Sequence, residues 1–169
     1  MTVIPQKSSK MAPSPASRSA DMGIRVLLVD DHESWRRYVS AALRKLQYQV
    51  VGEAVDGLEA VQKAEELRPD LILLDIGMPI LNGIEAARRI RKLSPESKIL
   101  FVSQESTADV VEEAFRLGAL GYIAKTDVGS ELLTAVNAVL RGKTFASSRL
   151  AERNFTGALS SFLMKETLS

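Results

Sequence analysis

Two short apolar runs, Val26-Leu27-Leu28-Val29 and Leu71-Ile72-Leu73-Leu74, each end directly on acids: Asp30 and Asp31 after the first, Asp75 after the second. Continuous aliphatic runs of this length read as strands covered on both faces, the pattern of a parallel sheet. In open α/β sheets the ligand crevice lies outside the carboxyl ends of the strands. All three carboxylates therefore point toward one crevice.

From Ile24 onward the hydrophobic period alternates between strand and helix. Arg25 to Asp30 reads as a strand, and Ser34 to Leu46 as a helix, with Trp35, Tyr38, Val39, Ala42, Leu43 and Leu46 at helical spacing. Gln49 to Ala54 is a strand, and Leu58 to Leu67 a helix stopped by Arg68-Pro69-Asp70, because proline removes a donor and restrains its neighbour. After the Leu71 strand come a helix over Ile84 to Leu93, a strand over Lys98 to Val102, and a helix over Ala108 to Leu117 closed by Gly118. A short strand over Leu120 to Ala124 and a fifth helix over Glu131 to Arg141 complete the series. Five βα units joined by short loops predict a parallel sheet wound on both sides, right-handed at each crossover.

Both ends of the chain depart from this rhythm. Residues 1 to 23 mix Ser8, Ser9, Ser14, Ser17 and Ser19 with Pro5, Pro13 and Pro15 and show no apolar period, so a disordered tail is expected there. Residues 24 to 146 form the domain. Residues 147 to 169 carry Leu150, Phe155, Leu159, Phe162 and Leu163, the pattern of an extra amphipathic helix that either folds back on the domain or meets a partner.

Composition narrows the function. With 22 Lys+Arg against 21 Asp+Glu the net charge is +1, which supplies no broad field for nucleic acid. No apolar run approaches the ~18 residues of a membrane span, and no cysteine offers a thiolate ligand, so a soluble cytoplasmic protein is expected.

Crowding Asp30, Asp31 and Asp75 together pushes at least one pKa up unless a cation resolves the conflict. Oxygen ligands, with His32 the one available imidazole, favour a hard ion such as Mg2+ over zinc. Lys125 follows the last short strand and Ser103 ends the fourth, bringing an ammonium and a hydroxyl to the same edge. A carboxylate nucleophile, a divalent ion, a lysine and a hydroxyl together can accept a phosphoryl group, and an acyl phosphate on Asp75 is the inferred product.

These residues stand in VLLVDD at 26 to 31, LILLDIGMPILNG at 71 to 83, FVS at 101 to 103 and GYIAK at 121 to 125. In that order and spacing the chain resembles a receiver domain of bacterial two-component response regulators, of the NarL/FixJ type, over roughly Arg25 to Phe145. The resemblance implies a flavodoxin/CheY-like (βα)5 doubly wound sheet of five parallel strands in the order 2-1-3-4-5, with an extra C-terminal helix beyond it. It implies Asp75 as phosphoacceptor, Asp31 as a direct Mg2+ ligand, Asp30 acting through water, and the carbonyl of Gly77 as the third protein ligand. Ser103 and Lys125 would hold phosphoryl oxygens together with the backbone N–H groups of Gly77 and Gln104, and Tyr122 matches the switch aromatic. In the family, the hydroxyl residue moves toward the phosphoryl and the ring turns inward, reshaping the face of the fourth helix, fifth strand and fifth helix.

Two positions depart from the family pattern: Gln104 stands where a small residue is usual, and Thr126 where many relatives have proline. Gln104 bears on the lifetime of the phosphoryl, and Thr126 on the usual cis peptide. Pro79 and Gly83 read as turn residues, His32 as a loop side chain without catalytic consequence, and Trp35 as packing near enough to the acids to report Mg2+ binding. The implied partners are a sensor histidine kinase or phosphotransfer protein and a downstream protein. The fourth-to-fifth-helix face and the Leu159, Phe162, Leu163 stripe are candidate homodimer surfaces. The residues after Phe145 show no recognition-helix pattern, so no nucleic acid is expected to bind this chain, which reads as a stand-alone or truncated regulator. Two other readings remain: a receiver-like binding module that is not phosphorylated, and the receiver fragment of a DNA-binding transcriptional regulator. Flavodoxin would want a hydroxyl-rich loop where Asp30-Asp31-His32 stands, and an aspartate-nucleophile phosphatase an acid where Gly77 stands, so a turnover enzyme is disfavoured.

Overall fold

A computed structural model describes residues 23–105 and 107–152. The strands are β1 (Arg25–Val29), β2 (Gln49–Ala54), β3 (Leu71–Leu74), β4 (Lys98–Ser103), β5 (Gly121–Ala124) and β6 (Phe145–Ala146). The helices are α1 (Glu33–Lys45), α2 (Gly57–Leu67), α3 (Gly83–Leu93), α4 (Ala108–Arg116), α5 (Val128–Leu140) and α6 (Ser148–Glu152). Every strand pairing is parallel, and the order is β2-β1-β3-β4-β5-β6.

The period of two splits the apolar runs between two cores. Leu27, Val29, Ile72 and Leu74 face one side and pack with Ala60, Val61 and Ala64 of α2, Ala86 and Ile90 of α3, and Val111 and Phe115 of α4. Val26, Leu28, Leu71 and Leu73 face the other and meet Val39 and Leu43 of α1 and Val128, Leu132, Val136 and Val139 of α5. A one-residue slip of either strand would exchange its two faces, so register is strongly set. Leu27 pairs with Ile72 and Val29 with Leu74, which leaves Asp30 and Asp75 side by side one residue beyond the strand ends.

Local signals place the helices. Asp56 caps α2 by accepting from the Glu59 N–H at 2.8 Å, and Asn82 caps α3 by accepting from the Glu85 N–H at 2.9 Å, each satisfying an orphan donor of the first turn. Gly118, with φ +96°, follows the end of α4 in the left-handed conformation expected from the sequence.

The structure differs from the sequence expectation in two respects. The sheet has six strands rather than five, because Phe145 and Ala146 add to the edge of β5. The fifth helix starts at Val128 rather than Glu131: a 3-10 turn over Lys125–Asp127 leads directly into it, and Val128 joins Leu132 on the buried stripe. The extension after β6 opens with α6, whose Leu150 is 1% exposed among the core residues around Tyr122, so this part of it folds back on the domain. The expected N-terminal tail and the Leu159, Phe162, Leu163 stripe lie outside the described residues.

Candidate functional site

The carboxyl edge of the sheet brings three of the anticipated groups, Asp30, Asp75 and Lys125, into direct contact. Asp30 is 1% exposed and Asp75 5% exposed, and the Lys125 ammonium lies 2.6 Å from Asp30 Oδ2 and 3.3 Å from Asp75 Oδ2. The Asp30 contact is an ion pair without hydrogen-bond alignment, whereas the one to Asp75 is a hydrogen bond. Asp75 Oδ1 accepts from the Ile76 N–H at 2.8 Å, so both of its oxygens are engaged. Lys125 is further held with its ammonium 5.1 Å from the centre of the Trp35 ring, a cation–π placement.

Burial raises the Asp75 pKa above the ordinary aspartate range, and the charge of Asp30 adds to it; the Lys125 charge and hydrogen bond and the Ile76 N–H pull the other way. The folded, metal-free protein therefore binds this proton more tightly than the unfolded chain. Its unfolding free energy is expected to fall as pH rises from about 4 through the raised folded value, since the native state then holds more protons. Denaturant titration of metal-free protein across that range checks this, and Asp75→Asn should remove this part of the slope.

Asp31, His32 and Asp30 form the one cluster of potential metal ligands among the described residues, with ligand atoms within 4.8 Å of one another. Asp31 Oδ1 is buried without a hydrogen bond, and its neighbour is His32 Nδ1 at 3.0 Å. The His32 N–H donates to Asp30 Oδ1 at 2.8 Å, and the Arg36 guanidinium donates to the Asp30 carbonyl at 2.8 Å. A Cβ at Gly77 would meet nothing within 4 Å, so the space beside that loop residue is open. A carboxylate oxygen without a hydrogen bond, in an oxygen-rich cluster with no thiolate, fits a hard divalent cation.

On the β4 side, the Ser103 hydroxyl accepts from the Glu105 N–H at 3.1 Å, while the Tyr122 hydroxyl donates to the Glu105 carbonyl. The two hydroxyls thus hold the backbone of one residue. Tyr122 is fully buried, its ring 6.1 Å from that of Phe101. Burial raises its pKa far above the usual tyrosine range; the Ser103 hydroxyl opposes this, and the charges of Glu105 and Asp75 reinforce it. Gln104 is exposed at the rim, and the described peptide bonds, that before Thr126 included, are trans.

Sequence reading missed three features here. His32, in the loop before α1, sits against both acids. Gly83 is needed for close approach as well as for a turn, since a Cβ would lie 2.0 Å from the Asp75 carbonyl oxygen. Arg149, from beyond β6, lines one cavity of 690 Å3 together with Lys125, Ser103, Gln104, Trp35 and Leu150. Only the first had a local signal, its adjacency to Asp30-Asp31.

This sheet order and acidic edge define a CheY-like α/β domain. The chain belongs to the response regulator receiver domain family, whose family model matches residues 26–137. It is 42% identical over 118 residues to the chemotaxis protein CheY of Thermotoga maritima, covering 70% of this chain and 98% of that protein. It is 39% identical over 129 residues to the transcriptional regulatory protein LiaR of Bacillus subtilis, covering 76% of this chain and 61% of that one. The chain thus spans nearly all of CheY and about three fifths of the transcriptional regulator.

Among solved structures, a LuxR-family two-component response regulator from Aurantimonas sp. SI85-9A1 superposes with a TM-score of 0.73 at 32% identity, covering 88% of this chain and 100% of that one. The response regulator domain of Thermotoga maritima CheB gives 0.63 at 39% identity, covering 71% and 98%. Receiver domains transduce two-component signals, bind Mg2+ through an acidic pocket and interact with kinases and phosphotransfer proteins. No helix among the described residues is long and apolar enough to cross a membrane.

Proposed function

We propose that Asp75 accepts a phosphoryl group from a sensor histidine kinase or phosphotransfer protein, and that the adduct switches a protein-interaction surface. The carrying observation is the placement of Lys125 between two buried carboxylates at the sheet edge, 3.3 Å from Asp75. Lys125 suppresses protonation of Asp75 and is within reach of the oxygens that a phosphoryl group would bring.

Asp31, Asp75 and the Gly77 carbonyl would hold Mg2+ directly, with Asp30 acting through water; the ion would neutralise charge developing on the phosphoryl oxygens. Phosphorylation adds about −1.5 to −2 charge and three strong acceptors. The Ser103 hydroxyl and the Gly77 and Gln104 N–H groups would answer it. Turning Ser103 toward the phosphoryl group would free the Glu105 N–H, and Glu105 is also the hydrogen-bond partner of Tyr122. The readout would then be the surface of α4, β5 and α5, where a downstream protein or a second copy of the chain docks.

Mg2+ is expected to alter emission from Trp35, the chain's one tryptophan, because that ring and the acids share Lys125 as neighbour. Asp31→Asn should weaken the apparent affinity about tenfold or more, and a flat titration of the parent would remove Trp35 as a reporter of the ion. Incubation with Mg2+ and acetyl phosphate should give one labile label per chain; continuous phosphate release without a label would instead indicate a turnover enzyme. A second reading, the receiver portion of a DNA-binding regulator, is supported by the likeness to LiaR, of which the chain spans 61%.

A further inference from the structure

The cavity lined by Lys125, Ser103 and Gln104 has a wall supplied by the segment after β6. Ser147 fixes that wall: its N–H donates to the Tyr122 carbonyl at 3.0 Å, and its hydroxyl accepts from the Ala124 N–H at 2.9 Å. The Ser148 N–H donates to Glu131 Oε1 at 3.2 Å, and the buried Leu150 side chain anchors the next turn. Between these held positions stands Arg149, 66% exposed, with Nε 3.3 Å from Asp127 Oδ1. The contact engages one edge of the guanidinium, and among the described residues no partner is seen for the donors on its two Nη atoms.

Lys125 and Arg149 are the two permanent cations lining this cavity, and Trp35 and Leu150 supply its apolar surface. At 690 Å3 the space exceeds what a phosphoryl group alone requires. We propose that Arg149 is a specificity residue of the phosphorylation site, a second cation on the cavity wall beside Lys125 that favours small acyl-phosphate donors of higher net negative charge over singly charged ones. The inference rests on Asp75 being the phosphoacceptor. In the step, an ionised Asp75 oxygen forms the new O–P bond as the acyl O–P bond breaks, and the carboxylate leaves with the electron pair; no proton or redox partner is required.

The test is the second-order rate of labelling by two donors in saturating Mg2+: dianionic acetyl phosphate, and phosphoramidate, whose ammonium-bearing form is singly negative and releases ammonia. Arg149→Gln should slow acetyl phosphate by about fivefold and phosphoramidate by less than about twofold, with the difference collapsing at 1 M KCl, where the Debye length is about 3 Å. Arg149→Lys should recover most of the preference for the dianion. Equal rates for parent and Arg149→Gln, or an equal loss with both donors, would overturn the assignment while leaving Asp75 as acceptor. A parent labelled by neither donor would overturn the acceptor reading as well.

Discussion

Lys125→Met is expected to lower the rate of phosphoryl transfer to Asp75 by about 100- to 1,000-fold at neutral pH, the range seen when one preorganised donor is taken from developing oxyanion charge. Methionine keeps most of the length and the apolar stem, so the change removes the ammonium, with its placement over the Trp35 ring, rather than the packing of the stem. Two losses act together. The group within 3.3 Å of Asp75 that would meet the incoming phosphoryl is gone, and so is the charge that holds the Asp75 pKa down, so burial and Asp30 raise it further. The nucleophile is then protonated more of the time as well as less assisted. Initial labelling rates at fixed acetyl phosphate and Mg2+, followed by intact mass, measure the combined effect. A rate within tenfold of the parent would show that Lys125 serves the ion pairs of the fold rather than the transfer.

Gly83→Ala should destabilise the protein by about 2–3 kcal/mol, against the usual gain of up to about 1 kcal/mol when glycine in a helix becomes alanine. The reversal of sign comes from contact. The new Cβ would lie 2.0 Å from the Asp75 carbonyl oxygen and 2.8 Å from the Ile76 Cα, both backbone atoms that no rotamer change can move. Either α3 or the β3–α3 loop must retreat, and that loop carries the nucleophile, so labelling should slow in parallel. Gly129→Ala is the matched control: it lies in α5, and its nearest neighbour would be the Tyr38 hydroxyl at an ordinary 3.6 Å. Thermal or denaturant unfolding of the two variants should separate them, and a stabilised Gly83→Ala would contradict the close packing of α3 against Asp75.

Strand positions and site acids were legible in the sequence for the same reason. Val26 to Val29 and Leu71 to Leu74 are apolar on both faces, so they had to be central strands, and Asp30 and Asp75 had to emerge at their ends. Lys125 and Ser103 followed from the same counting along β5 and β4. The pair Phe145-Ala146 is too short to show a period, and what makes it a strand is the exposed edge of β5, a partner far away in sequence. Gly129 and Ser130 disguised the first turn of α5, whose start is set by the burial of Val128. Arg149 lines the cavity beside Lys125 because Ser147 is held by Tyr122 and Ala124, contacts that no local pattern announces.

Intact mass of the full chain after incubation with Mg2+ and acetyl phosphate, run beside Asp75→Asn and beside a chelator-treated sample, tests the central assignment. A single added phosphoryl on the parent, absent from the variant and from the chelated sample, is the predicted result. A parent mass that stays unchanged, or an adduct that persists in Asp75→Asn, would contradict Asp75 as the phosphoacceptor.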